Sequence, residues 1–338
     1  MIGVMGYFCL DVCPDLGQAP FEYVPGMLRE VGAAPGFPGG VVGNTGGALC
    51  RLQLPSRLGG LVGQDVFGVA VRDALRQTVA SGELIFKEVP GESTAYSLVL
   101  NPADSDRMFL VCRGVNDCIK ADSFDDSFFE GLKILHFGYP SLCKAMALND
   151  GRETRCLFER CHAKGILTSL DLSLPSPGTI FYDLDWMAFL KNVLPETDVF
   201  CPSIDEIRFM MKDLQISPKA IAERMIALGA KVVFLKMGKD GMLVKTADTD
   251  GVEKTMAAFG TGKWRNVCKE IPPFPVKVVG TTGAGDSSIA GFLAGIYMGF
   301  DAETSERLAA RVAAYSISAV DSLSGIPPMK TILEKRDW

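Results

Sequence analysis

The sequence predicts an α/β fold of three layers, α/β/α, with a mostly parallel central sheet and a small β-sheet lid. Two observations point to the layers and a third to the lid. Continuous apolar runs of strand length recur along the chain, and amphipathic stretches at helical spacing separate them. Two segments break that rhythm, one with a hairpin pattern and one rich in Pro and Gly. Strands that are apolar throughout, rather than alternating, are buried on both faces, as in a parallel sheet covered by helices.

The elements follow in order. "IGVMGYF" at 2–8 is the first expected strand, and residues 11–38, with many Pro and Gly and no helical pattern, are assigned to the lid. Phe67, Val71, Leu75 and Val79 repeat at helical spacing, with Asp65 placed to cap a helix over 66–80. "STAYSLVL" and "RMFLVC" around the polar "NPADSD" predict a hairpin, so the lid comprises about 11–38 and 93–114. Strands are expected in "KILHFG" at 133–138, "ILTSLDL" at 166–172, "DVFCP" at 198–202 and "KVVFLKMG" at 231–238. Near the end, Val276 to Val279 reads as a short strand and Gly280 to Gly285 as a loop; "DSSIAGFLAGIYMGF" reads as a helix of closely packed small residues. A further helix carries Leu308, Val312, Tyr315 and Ala319. No repeat, low-complexity tract or linker divides the chain, so residues 1–338 are expected to form one domain.

Composition narrows the function. With 338 residues, 48% of them hydrophobic, the chain can bury a sizeable core. Its 34 basic and 40 acidic residues give a net charge of −6, which disfavours a nucleic-acid partner and leaves a small-molecule ligand. Ten cysteines are scattered without a C-x-x-C pair, which suits a reduced, cytoplasmic chain; two histidines, His136 and His162, argue against a His-rich metal site. "MIGVMGYFCLD" meets Asp11 too early for a secretory signal. No apolar run reaches the roughly 18 to 20 residues of a membrane span, so no membrane partner is expected.

The common nucleotide loops are absent. Gly262-Lys263 precedes Trp264 and lacks the upstream glycine of a Walker A loop, and Gly283-Ala284-Gly285 has Ser288 where a dinucleotide fingerprint needs glycine. "VVGTTGAGDSSIAGF" at 278–292 nonetheless runs a glycine-rich loop into a helix, a setting that favours anions, and places Asp286 there. Asp286 reads either as a helix cap or as a group needed for chemistry beside a phosphate.

A second glycine cluster, "GFPGGVVGNTGGALCRL", contains Gly39, Gly40 and Asn44, and "GGLVGQDVFG" follows it. The two sets together resemble the signatures of the PfkB, or ribokinase-like, family of carbohydrate kinases. G-G-x-x-x-N and G-x-D-x-F-G correspond to Gly39, Gly40, Asn44 and to Gly63, Asp65, Phe67, Gly68; T-T-G-A-G-D corresponds to Thr281 to Asp286. "GYFCLD", "CPSIDE" and "LKMGKDG" extend the resemblance over nearly the whole chain.

The resemblance implies an ATP-dependent sugar kinase that uses Mg²⁺. Backbone N–H groups of Gly283, Ala284 and Gly285 would form an anion hole for the γ-phosphoryl group, and Asp286 would take the proton of the attacking hydroxyl. Asp11, Gly39, Gly40 and Asn44 would bind the sugar, although Asp11 also suits a strand-end turn and Asn44 a helix cap. Glu206 would act on Mg²⁺ through water or be a solvated helix residue. Lys236, Gly238 and Gly241 would line the nucleotide phosphates, or the two glycines would simply make a β-turn. Arg113 and Asn116 follow the hairpin as substrate contacts or as a solvated loop.

Three departures bear on the transfer. Gly280 stands where the family has an aspartate linked in some members to a monovalent cation, which argues against potassium activation. Ser203 replaces an asparagine, and "SLDLSLP" lacks the D-x-N-x-R arginine that would read a substrate carboxylate or phosphate. A neutral, fructose- or ribose-like sugar is therefore the expectation. A nucleoside kinase with a base stacked on Tyr7, Phe8, Phe37 or Tyr139, or a sugar-binding sensor, are the alternatives. An exposed lid edge would invite a homodimer through paired lids.

Overall fold

The computed structural model describes residues 1–18, 22–79, 81–103, 107–260, 263–319 and 321–335. Its strands are β1 (Ile2–Gly6), β2 (Cys9–Val12), β3 (Gly36–Gly39), β4 (Ser56–Gly63), β5 (Glu83–Val89), β6 (Tyr96–Leu100) and β7 (Met108–Cys112). After these come β8 (Ile134–Gly138), β9 (Leu167–Leu170), β10 (Val199–Phe200), β11 (Val232–Lys236), β12 (Met242–Thr246) and β13 (Cys268–Ile271). All five continuous apolar runs read from the sequence thus contain a strand.

Nine strands form one sheet in the order β13-β12-β11-β10-β9-β8-β1-β4-β5. The pairings from β5 to β11 are parallel, and β12 and β13 add an antiparallel edge. Alternate residues of each strand point to opposite faces. Val232 and Phe234 join the core beneath the helices Ala284–Tyr297 and Ala302–Ile317, while Val233 and Leu235 join the core beneath Lys144–His162 and Pro218–Ala227. Two apolar cores back one sheet, which gives the three layers.

The expected lid is a second sheet, ordered β3-β2-β6-β7. β6 and β7 form the predicted antiparallel hairpin, and part of its turn, residues 104–106, lies outside the described residues. Asp65 caps Val66–Thr78 as expected, accepting from Gly68 N at 2.8 Å, and its second oxygen accepts from Thr94 N at 2.7 Å just before β6.

One expected element is absent. Val276 to Val279 is an irregular segment that bends at Val279, whose N donates to Ile317 O at 2.8 Å. Pro272, Pro273 and Pro275 precede it, and a residue without N–H cannot continue a ladder. The following helix starts at Ala284, two residues before the expected start. Its small residues allow close packing: a Cβ on Gly291 would lie 2.8 Å from Ala309 Cα. Phe292 stacks on Phe234 with ring centroids 4.4 Å apart, fixing this helix against β11.

Parallel strands end together, so β1, β8, β9, β10 and β11 deliver the chain to one rim of the sheet. Residues beyond such carboxyl ends are the usual place for a ligand in an open α/β sheet.

Candidate active site

The site is built where the helix Ala284–Tyr297 begins. Gly283 is its N-cap, with φ +71°, and a Cβ there would lie 2.4 Å from Ser322 Cβ, so both backbone conformation and space call for glycine. No side chain caps the helix. Ala284 N reaches Thr281 O at 3.4 Å, a long contact, and Gly285 faces a cavity of about 710 Å³.

Asp286 is not the cap. It is the third helical residue, and its carboxylate reaches side chains from elsewhere in the chain. Oδ1 accepts from the Tyr139 hydroxyl and from Thr45 Oγ1 at 3.0 Å, while Oδ2 accepts from Asn44 Nδ2 at 3.4 Å. Tyr139 follows the end of β8, and Asn44 and Thr45 belong to the turn Val42–Gly46. Burial raises the Asp286 pKa above the usual carboxylate range, against the three donors and the Lys236 ammonium, which all favour the charged form.

Lys236 ends β11, and its Nζ would lie 3.6 Å from a Cβ on Gly285. It pairs with Asp171, beyond β9, at 2.7 Å. Burial disfavours its ammonium, but Asp171 and Glu206 overcome that, so Lys236 stays protonated. Glu206 is not the solvated helix residue of the alternative reading. It is 9% exposed and completes a capping box, accepting from Ser203 N at 2.7 Å, so the serine in place of the expected asparagine has a structural task. Asp171, Glu206, Lys236, Gly238 and Asp286 all line the 710 Å³ cavity. Gly241 does not; a Cβ on it would lie 2.0 Å from Ile271 O, so it serves the close approach of β12 and β13.

A second cavity, about 540 Å³, opens between the lid and the body and is lined by Asp11, Phe37, Asn44, Arg107 and Thr282 among others. Asp11, on β2, accepts from Cys9 Sγ at 3.3 Å; burial raises its pKa. A Cβ on Gly39 would lie 2.3 Å from Asp11 Oδ2, and Gly40, at φ +71°, would bring one 2.3 Å from Tyr7 O. Gly39 lets the chain pass close to the Asp11 carboxylate and Gly40 lets it pass close to Tyr7, and neither glycine lines the cavity. Asn44 also accepts from Ser322 Oγ at 3.1 Å, so one amide in the wall of this cavity joins Ser322 to Asp286 in the wall of the other. Arg107, before β7, donates to Thr281 Oγ1 at 3.0 Å and to Thr282 Oγ1, which ties the lid to the same loop.

Two expected contacts stand apart. Arg113 pairs with Asp117 at 3.1 Å, lies over the Phe181 ring and lines neither cavity. Asn116 is fully buried and exchanges hydrogen bonds with the Phe8 backbone at 3.0 and 3.2 Å, so it is neither solvated loop nor ligand contact. Of the aromatics considered for base stacking, Phe8 is buried against Phe86, Tyr7 is buried, and Phe37 lines the second cavity. Sequence reasoning missed Tyr139 and Thr45 as partners of Asp286; the hydroxyl next to Asn44 in "GNTGG" was the available signal for one of them.

Residues 19–328 match the profile of the pfkB family of carbohydrate kinases. An uncharacterized sugar kinase of Archaeoglobus fulgidus is 28% identical over 280 residues, covering 82% of this chain and 98% of that protein. The ribokinase of Arabidopsis thaliana, solved with ribose and ATP, superposes with a TM-score of 0.76 at 19% identity, covering 100% of this chain and 98% of that one. A putative ribokinase II from E. coli, solved with ATP and Mg²⁺, superposes with a TM-score of 0.72 at 18% identity, covering 98% and 97%.

Proposed function

Because the chain belongs to the pfkB family of carbohydrate kinases and is a sugar kinase, we propose that it transfers the γ-phosphoryl group of ATP to a hydroxymethyl group of a neutral monosaccharide, with Asp286 as general base. The observation that carries this reading is the position of Asp286, which lines one cavity and whose Oδ2 lies 3.4 Å from the amide of Asn44, a wall of the other.

The sugar occupies the 540 Å³ cavity. Asp11 accepts hydrogen bonds from its hydroxyls, with the Asn44 amide in the same wall, and Gly39 keeps the neighbouring strand close behind Asp11. The triphosphate occupies the 710 Å³ cavity, where the Lys236 ammonium, Gly238 and Gly285 receive negative charge, with Gly283 and Ala284 just before Gly285 at the helix start. The hydroxyl oxygen attacks the γ-phosphorus; the new O–P bond forms as the bond to the ADP oxygen breaks, ADP leaves with that electron pair, and the hydroxyl proton passes to Asp286.

The donors present suit Mg²⁺. Among the described residues no group of three His, Cys, Asp or Glu is poised to cage a metal, yet carboxylates line the phosphate cavity. Mg²⁺ favours such a setting, since it keeps several waters and takes few protein oxygens beside phosphates. Glu206 would hold it through water, and the ion would neutralise phosphate charge.

Two further points belong to this reading. A neutral sugar is favoured because Asp171 is committed to Lys236 and no arginine follows it within "DLSLP". A second copy of the chain pairs with the lid along β7, the outer strand of its sheet, whose Met108, Phe109, Leu110 and Val111 are all exposed.

An ADP-release assay over neutral sugars, sugar acids, sugar phosphates and nucleosides tests the substrate. The expected result is turnover with a ketose or pentose at a kcat/KM at least about a hundredfold above any nucleoside. Preference for an anionic sugar would refute the neutral assignment, and preference for a nucleoside would refute the sugar.

A further inference from the structure

The two oxygens of Asp286 are not equivalent. Oδ1 accepts from two hydroxyls, those of Tyr139 and Thr45, and a carboxylate oxygen has two lone-pair sites. Oδ1 is therefore saturated. Oδ2 has Asn44 Nδ2 at 3.4 Å, beyond the usual range for an N–H···O bond, so it keeps acceptor capacity. The torsion that would exchange the oxygens joins an sp³ to an sp² carbon and is soft, so intrinsic rotamer preference alone does not hold them apart. Tyr139, beyond β8, and Thr45, in the turn Val42–Gly46, approach Oδ1 from two separate elements, and rotation would break both bonds.

We infer that Tyr139 and Thr45 are positioning residues that hold Oδ1 and leave Oδ2 to take the substrate proton. The inference rests on the reading of Asp286 as base. It also assigns Asn44 a second task beside the sugar, since its amide, steadied by Ser322 Oγ at 3.1 Å, marks the reacting oxygen.

The hydroxyls also act on charge. They stabilise the carboxylate form against burial, as the Lys236 ammonium on β11 does, whereas Asp171 beyond β9 and Asp11 on β2 bring like charge toward it. Removing a hydroxyl therefore moves the acidic limb of the kcat profile to higher pH.

The test uses the full chain with ATP, Mg²⁺ and its best sugar. Tyr139→Phe keeps the ring and is expected to lower kcat about tenfold or more, leave both KM values within about twofold, and raise the acidic limb by about half a pH unit or more. Thr45→Val should act in the same direction, and Thr45→Ser, which keeps the hydroxyl, should restore most of the rate. In the Asp286→Asn background, Tyr139→Phe should cost little more, because both changes act through one carboxylate. Native kcat and an unmoved limb in Tyr139→Phe, or equal losses in Thr45→Ser and Thr45→Val, would overturn the inference. If Tyr139→Phe unfolds early, the Thr45 pair decides. Asp286→Asn alone with native kcat would instead remove the base reading, so the two failures are distinct.

Discussion

Glu306 is a carboxylate buried in the helix Ala302–Ile317 whose oxygens make no hydrogen bond of good geometry among the described residues. Burial pushes its pKa up to about 8, and the Val244 backbone and Arg307 offset this only in part. The folded value lies above the ordinary 4.5, so this group's contribution to stability is full below about pH 4.5 and is lost as pH rises through about 8. Between those limits the decline is at most ~1.4 kcal/mol per pH unit. Melting temperatures of the native chain and Glu306→Gln from pH 5 to pH 9 are expected to converge at the acid end and to favour the variant at the alkaline end; parallel curves would contradict this. At this scale the site was partly legible. Gly39 and Asn44 stand together in one short glycine-rich stretch, and Gly283 and Asp286 in another, so each cluster shows in the sequence as a spaced pattern. Tyr139 stands in none: its partner Asp286 lies 147 positions away, and only the rim of the sheet brings the two together.

Elements buried on both faces were the easiest to read, since β1, β8, β10 and β11 are apolar or glycine at nearly every position, and β9 sets two buried hydroxyls between leucines. Val276 to Val279 has the same local composition, but the prolines before it and its exposed position keep it out of the sheet, and that depends on neighbours rather than on the segment. The lid was legible as a hairpin because its turn interrupts two β-rich runs. β7 carries a further consequence. Phe109 and Val111, on one face of the strand, are 47% and 46% exposed, an unusual cost for a strand that meets only solvent. Sedimentation of the native chain is expected to give a dimer, and Phe109→Asp with Val111→Lys a monomer that keeps the native fold. A native monomer at micromolar concentration, or a dimer that survives both changes, would contradict pairing through the lid.

At the scale of the whole molecule, one sheet rim and one helix start place Asp286 in the wall of one cavity and next to Asn44 in the wall of the other. The lid reaches the loop at 281–283 through Arg107 on Thr281 and Thr282, beside the proposed sugar cavity, and the ends of β9 and β11 bring together the Asp171–Lys236 pair in the wall of the other. Phe234 against Phe292 keeps those sides in register by fixing β11 to the helix that carries Asp286. The central claim, that phosphoryl transfer runs across this junction with Asp286 as base, is tested most directly by Asp286→Asn. The variant keeps the side-chain size and an oxygen able to accept from Tyr139 and Thr45, and Gly283 rather than this residue ends the helix, so the fold should persist. ATP affinity should be retained or tightened, since a negative charge beside the γ-phosphate is removed. General-base catalysis contributes about 10²–10⁴-fold, so kcat should fall by that factor, about 3–5 kcal/mol of barrier. The decisive measurement is therefore kcat of Asp286→Asn alongside its melting temperature and ATP Kd: a native fold, retained ATP binding and collapsed turnover are the predicted result, and a folded variant with near-native kcat would contradict the account.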